Sequence, residues 1–400
     1  MKLVKTNFEA PSRAVATPTI NEGVPCLADT IRCLKMWLRT TSVSAYQATS
    51  MSNKGLPSEP PMRPAAAYRL SRDHSTAFWL IDNLWLPLAT GVQTGGAMTM
   101  IEQVCATGIG GPPTHRHVQD EGFYVIEGQC TFNAGGITVT ATENTFVSVP
   151  RDTDHSFTVD QPGTRVLNFY LPAGFEHILM SLAVPAPRRE TPPRGATEMP
   201  PRWMAEEVAR EFGQTSILGV PFADPPGDDN MATQPSPTNP VQPLVAKPAD
   251  SPQTTIGGIT IGTLASAVQT GGQYSITHWT ASKDHRTRTT IRDHDQAFYV
   301  LDGSIQTFID GNVFDSEAGT FIWIPAGCVG SLKVTAGARL LHWASPGGWE
   351  TILQPDALPE SAAKLSEAPQ SAAVDFALRQ TGIRPVRPIQ DAAFDSTLPF

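Results

Sequence analysis

Two histidines and a glutamate stand close together in Thr114-His-Arg-His-Val-Gln-Asp-Glu121, directly after Gly110-Gly-Pro-Pro113. His115 and His117 are two residues apart, a spacing that on a strand turns both rings to one face. Glu121 follows after a short loop, at the expected start of the next strand. His155 ends Pro150-Arg-Asp-Thr-Asp-His155 and opens a further strand on the same face. Three imidazoles and one carboxylate converging inside a barrel suit a borderline transition metal with coordination positions left open. The elements that position them must therefore be short strands joined by tight turns. The Gly/Pro-rich turn before His115 and Gly128 after Glu121 mark the bends.

The composition agrees with such a scaffold. Of the 400 residues, 40% are hydrophobic and only 17% charged, with 36 Pro and 32 Gly. That balance fits a turn-rich β protein of two or three domains better than a helical bundle. The net charge is −9 and no basic patch stands out, so nucleic acid and anionic membranes are not expected partners. Five scattered cysteines without a CxxC argue against a disulfide framework and for a reducing, cytoplasmic location. Cys26 and Cys33, seven apart, read as packing on a helix. No apolar run reaches about 18 residues, and the first residues lack the apolar core of a signal peptide. Residues 1–62 are Ser/Thr-rich and match nothing later in the chain. They read as a disordered tail, a targeting extension or an upstream extension of a chain starting at Met51.

The rest of the chain repeats itself. Val92-Gln-Thr-Gly-Gly96 returns as Val268-Gln-Thr-Gly-Gly272, and Phe123-Tyr-Val-Ile-Glu-Gly128 as Phe298-Tyr-Val-Leu-Asp-Gly303. Thr145-Phe-Val-Ser-Val-Pro150 answers Thr320-Phe-Ile-Trp-Ile-Pro325. Pro172-Ala-Gly-Phe-Glu-His-Ile-Leu179 answers Pro346-Gly-Gly-Trp-Glu-Thr-Ile-Leu353. Four matched blocks at one near-constant offset mean a duplicated domain, with a period too long for a solenoid. Copies over 63–220 and 253–400 flank a Pro-rich linker over 221–252. Each copy reads as short alternating strands, in the first 97–104, 122–126, 129–133, 137–141, 145–149 and 165–170. Helical pieces close each copy, at 176–182 and 203–212 in the first and 349–353 and 372–379 in the second.

These motifs resemble the cupin superfamily. Its first motif runs from a glycine through His-x-His and a glutamate to a second glycine, as from Gly110/Gly111 to Gly128. Pro150, His155 and Asn168 match the second motif, with Asn144 and Asp152 standing where glycines are usual. The duplication makes the chain resemble a bicupin: all-β, two β-sandwich or jelly-roll barrels with short flanking helices. Phrases such as Gly122-Phe-Tyr-Val-Ile-Glu-Gly128 resemble the quercetin 2,3-dioxygenases, particularly the fungal bicupins. The resemblance implies one transition metal on His115, His117, Glu121 and His155: iron, copper or manganese, with nickel or cobalt also admitted. It implies O2-dependent ring cleavage of a flavonol or similar enolic aromatic, with Glu121 as ligand and base. Strand alternation adds Phe123, Phe157, Met100 and Glu102 as expected pocket-lining residues. A redox-neutral isomerase or cyclase tailoring a secondary metabolite is the alternative, and a non-catalytic storage bicupin a third reading. Small-molecule aromatic substrate and O2 are the expected partners, with homodimer formation left open.

The second copy has lost the set. At the repeat offset His115 meets Thr290, His117 meets Arg292, Glu121 meets Gln296 and His155 meets Gly330. His294 falls between ligand positions, and His278, His285 and His342 have no ligand spacing. The second barrel is therefore expected to bind no transition metal and to serve by packing against the first.

Overall fold

The computed structural model describes residues 66–197, 200–211, 213–216, 241–287, 290–291, 294–353 and 384–385. The expected extension over 1–62, the Cys26–Cys33 helix, most of the linker, Arg292 and the helix over 372–379 lie outside the described residues.

Two antiparallel β-sandwiches follow one another, each with a larger and a smaller sheet. In the first, the central strands of the larger sheet are Asn83–Ala89, Thr99–Cys105, Thr164–Leu171, Asp120–Glu127 and Phe146–Val149, in that spatial order. The smaller sheet carries His115–Arg116, His155–Val159, Gln129–Ala134 and Ile137–Thr142. The second sandwich repeats this with Ile259–Ala265, Ser275–Ala281, Arg339–Ser345, Asp295–Asp302 and Thr320–Ile324. Thr290–Ile291, Val329–Val334, Ser304–Ile309 and Asn312–Glu317 face them. Of the expected helices, Phe175–Leu182 and Arg202–Glu211 are α-helical, while Trp349–Leu353 is a 3-10 turn.

The domain boundaries depart from the expected ones through an exchange of edge strands. Tyr68–Ser71, placed by sequence in the first copy, pairs with Thr320–Trp323 of the second sandwich. Leu244–Ala246, placed in the linker, pairs with Phe146–Ser148 of the first. Each strand thus covers the open edge of the other copy's larger sheet, where unpaired backbone groups would otherwise be exposed.

Both faces of the larger sheets are buried. In the Asp120–Glu127 strand, Phe123 and Val125 face inward to a core with Phe132, Val149 and Phe157. Tyr124 faces outward to a second core shared by the two sandwiches, where Met100, Phe146 and Phe169 meet Tyr274, Phe321 and Trp343. At about 25 cal/mol per Å² of apolar surface, this shared layer binds the two halves into one body.

The repeated VQTGG phrase has a structural role in both copies. Glu176 is 2% exposed and accepts hydrogen bonds from the backbone N–H of Gly91 (2.6 Å) and Gly174 (2.9 Å) and from the Thr99 hydroxyl. Glu350, also 2% exposed, takes the N–H groups of Ala267 (2.6 Å) and Gly348 (3.0 Å). In each copy a buried carboxylate thus ties the helical turn after the last strand to the loop that contains the phrase.

Candidate metal centre

The structure brings His115, His117, Glu121 and His155 together, all buried, with one ligand atom from each within 4.8 Å of the others. That is near the 3–4 Å edges set by metal bonds of about 2.1 Å. His115 lies on the two-residue strand His115–Arg116, directly opposite His155. His117 sits just beyond that strand, so the loop rather than continued pleating aims its ring. Glu121 is the second residue of Asp120–Glu127.

Each ring is oriented from behind. The Nδ1 atoms donate to backbone carbonyls: His115 to Pro113 (2.9 Å), His117 to Gln119 (3.0 Å) and His155 to Thr153 (2.8 Å). A carbonyl can only accept, so the neutral rings carry their protons on Nδ1 and present Nε2 lone pairs to the centre. Nε2 of His117 and of His155 each lie 2.9 Å from Glu121 Oε2. The His155 contact lacks hydrogen-bond alignment, leaving a buried nitrogen without an aligned partner. Lone pairs this close to a carboxylate need a proton or a cation between them, and a divalent metal satisfies all four donors at once.

The charge states follow. Burial, then the neighbouring His155 and His117, hold His115 well below the usual histidine range, so it is neutral and ready to ligate at physiological pH. Burial alone would raise the Glu121 carboxyl, but hydrogen bonding and charge from His117 and His155 outweigh it and hold the group strongly anionic. Burial lowers His155, yet Glu121 outweighs that and raises it. Metal uptake must therefore displace any proton held between these rings and Glu121.

The turns that carry the ligands are kept by unusual residues. Asn144 (φ 63°) and Asp152 (φ 60°) adopt the left-handed conformation that Gly319 and Gly327 supply in the second copy. Asn and Asp are the non-glycine residues that tolerate it best. The Asp152 N–H donates to the His117 carbonyl at 2.8 Å, tying the turn before His155 to the other histidine segment. Gly110 fits because Phe157 lies against it; a Cβ there would come within 2.0 Å of that ring.

Three groups that support the ligands were not anticipated from the sequence. Arg151 donates to Asp120 through Nε (3.2 Å), Nη2 (2.7 Å) and its backbone N–H (2.9 Å), clamping the turn before His155 to the residue preceding Glu121. Arg116, between the two histidines, pairs with Asp154 at 2.7 Å. Tyr170 stands opposite Glu121 in register, is buried and stacks on Phe175 at 4.2 Å. Burial and the Glu121 charge keep its phenol protonated far above the usual range. The only trace of these groups in the sequence is that opposite charges flank the ligand positions.

The expected pocket lining divides. Phe123 and Phe157 do lie inside the ligand-bearing barrel, packed 5.2 Å apart and both against Phe132. Met100 and Glu102 do not. They share a face, as alternation requires, but it is the outer face. Met100 is fully buried in the core shared by the two sandwiches. Glu102, with no exposed surface, bonds Arg72 and Arg165 at 2.9 Å and the Tyr299 hydroxyl at 2.7 Å. Against the expectation from strand alternation, it belongs to an ion-pair cluster at the seam between the barrels and not to the pocket.

The second sandwich confirms the loss of ligands at the described positions. Thr290 pairs with Gly330 as His115 pairs with His155. Gln296 stands opposite Ala344 as Glu121 stands opposite Tyr170.

Comparison with known proteins agrees with this architecture. The family profile described as Cupin domain matches residues 103–170, and one described as Ethanolamine utilisation protein EutQ matches 282–351. The quercetin 2,3-dioxygenase of Bacillus subtilis (strain 168) is 23% identical over 251 residues, which is 62% of this chain and 72% of that protein. Among solved structures, a Bacillus subtilis oxalate decarboxylase with Mn(II) centres is 13% identical, covering 80% of this chain and 89% of its own, at a TM-score of 0.49. The E. coli protein Ylba is 11% identical, covering 71% and 92%, at a TM-score of 0.45. With one sandwich repeated, one cupin match falling on the ligand-bearing copy and the second copy built to the same register, the chain has the duplicated-barrel architecture of a bicupin.

Proposed function

We propose that the protein is a metal-dependent dioxygenase that opens the ring of a flavonol or a similar enolic aromatic with O2, a reading supported by its similarity to a protein named quercetin 2,3-dioxygenase. The observation that carries this reading is the buried three-histidine, one-carboxylate group with every Nδ1 committed to a backbone carbonyl. The metal when bound supplies Lewis acidity and, if iron, copper or manganese, a redox partner for O2. The protein does the rest. Glu121 is anionic and offers a carboxylate oxygen as hydrogen-bond acceptor to the acidic hydroxyl of the substrate, the contact through which that proton would leave. Tyr170, a buried and protonated phenol opposite Glu121 in register, walls that side of the carboxylate. Phe157, lying over Gly110 beside His155, is the apolar wall for a flat ring, with Phe123 behind it.

A redox-neutral isomerase or cyclase is the second reading, favoured by the Glu121–Tyr170 pair. A buried carboxylate beside a protonated phenol can move a proton between two substrate atoms without oxygen. The test is metal content per chain by elemental analysis, with O2 uptake recorded on added quercetin. About one metal per chain with O2 consumption is expected. One metal without uptake on flavonols overturns the dioxygenase reading in favour of the redox-neutral one, and absence of metal under replete conditions overturns both.

A further inference from the structure

The second sandwich holds a cavity where the first holds its ligands. It has about 30 Å³ of free space, room for two or three water-sized groups. Thr290, Gln296 and Gly330 line it, the three described counterparts of His115, Glu121 and His155. Replacing two imidazoles by a threonine and a glycine, with Ala344 in place of Tyr170, removes the bulk that fills the equivalent space in the first barrel. The cavity is lined by hydrogen-bonding groups, yet no carboxylate, lysine or arginine occurs among its described lining residues.

Two of those groups lack partners. Gln296 is 1% exposed; its amide nitrogen donates to His294 Nε2 at 3.0 Å, while its Oε1 has no hydrogen bond. Ser331, 8% exposed, has a buried hydroxyl without a partner. A buried acceptor left unpaired is costly, so an occupant that donates a hydrogen bond is favoured. Trp279 and Phe298 give the same cavity an apolar side.

We propose that the second barrel is a binding site for a small, uncharged, hydroxylated molecule with an apolar edge, held by Gln296 Oε1 and the Ser331 hydroxyl. An uncharged occupant is favoured over an ion because no carboxylate, lysine or arginine is among the described lining residues. A hydroxyl donates to Gln296 and exchanges either role with Ser331, and the apolar edge rests on Trp279 and Phe298.

The test is saturation-transfer NMR on the full chain, titrated with ethanol and, separately, with sodium formate. Transfer to ethanol is expected in the wild type and equally in His115→Ala, which disables the first barrel only. Gln296→Leu keeps the volume and removes the acceptor, and should weaken ethanol binding about tenfold, the worth of one buried hydrogen bond. If Gln296→Leu fails to fold, shown by loss of the first-barrel metal, Ser331→Ala carries the same expectation. Ethanol binding unchanged in the folded variants, no ethanol binding at all, or formate bound in preference to ethanol would each overturn the proposal.

Discussion

The two barrels share one register and differ in what stands at four places. Around the first centre are imidazoles and carboxylates, and the neighbouring residues have been recruited to hold them. Around the second, not only the described ligand positions but also their supports are stripped. Asp120 is clamped by Arg151, whereas its counterpart Asp295 receives, among the described residues, the backbone N–H of Ala326 at 2.8 Å. Burial accordingly raises the Asp295 carboxyl. The turns, the buried Glu176 and Glu350 and the sheet pairing are common to both. A cupin scaffold thus needs the strands and turns to fold, while the salt-bridge clamps belong to the metal.

The same contrast appears on the shared face between the barrels. Glu102 and His278 occupy equivalent strand positions, and each lies near an arginine, Arg165 or Arg339. The carboxylate pairs with its arginine. The histidine cannot: burial and then the Arg339 charge push it down to about 4, against the opposing Asp302.

The largest expected effect tests the asymmetry directly. His115→Ala or His155→Ala should reduce bound metal from about one per chain to near zero, measured by elemental analysis, with activity lost alongside. Thr290→Ala should leave the metal content unchanged. Equal loss from both barrels would end the one-centre description.

Next comes Glu102→Gln, which strips the charge from a fully buried carboxylate that compensates two arginines. Those arginines are about one-quarter exposed, so the cost should be toward the lower end of a broken buried pair, about 3 kcal/mol, read by denaturant unfolding. A loss below about 0.5 kcal/mol would show that solvent already compensates them.

His278 sets a pH dependence of similar or smaller size. Its folded value of about 4 lies below the ordinary 6.5, so as pH falls the unfolded chain takes up the proton first. Its neutral burial is fully tolerated above about pH 6.5, and stability falls between there and about pH 4 by roughly 2–3 kcal/mol. In His278→Asn that part of the stability–pH curve should flatten. An unchanged slope would assign the acid loss to other groups.

Smallest is Arg151→Ala, which removes a support rather than a ligand. Metal affinity should fall about tenfold, the lower range for such groups, with one site per chain retained at saturating metal. Unchanged affinity would show that the clamp serves folding alone.

The ligand set was legible in the sequence because His-x-His, a following glutamate and the later histidine have a spacing that strand pairing converts directly into proximity. The loss in the second copy was legible for the same reason, through the repeat. Met100 and Glu102 were misplaced because alternation gives the parity of a strand and not its sign. Ile101 and Gln103 on one face, and Met100 and Glu102 on the other, are all fully buried. When both faces of a sheet are covered, polarity no longer tells barrel interior from inter-barrel contact. Tyr68–Ser71 and Leu244–Ala246 were assigned to the wrong places because three or four residues specify a strand but not its partner. The Arg151–Asp120 clamp joins residues from separate turns, and only the folded register brings them together.

The exchanged edge strands also impose an order on synthesis. Tyr68 emerges from the ribosome about 250 residues before Trp323, the residue it pairs with. The first barrel waits in turn for Leu244–Ala246, which follow its last ligand by about 90 residues. Neither sheet can close its edge while its own repeat alone is available. The nascent chain therefore carries an unpaired edge through most of translation, and the metal centre forms in a barrel whose last strand arrives late.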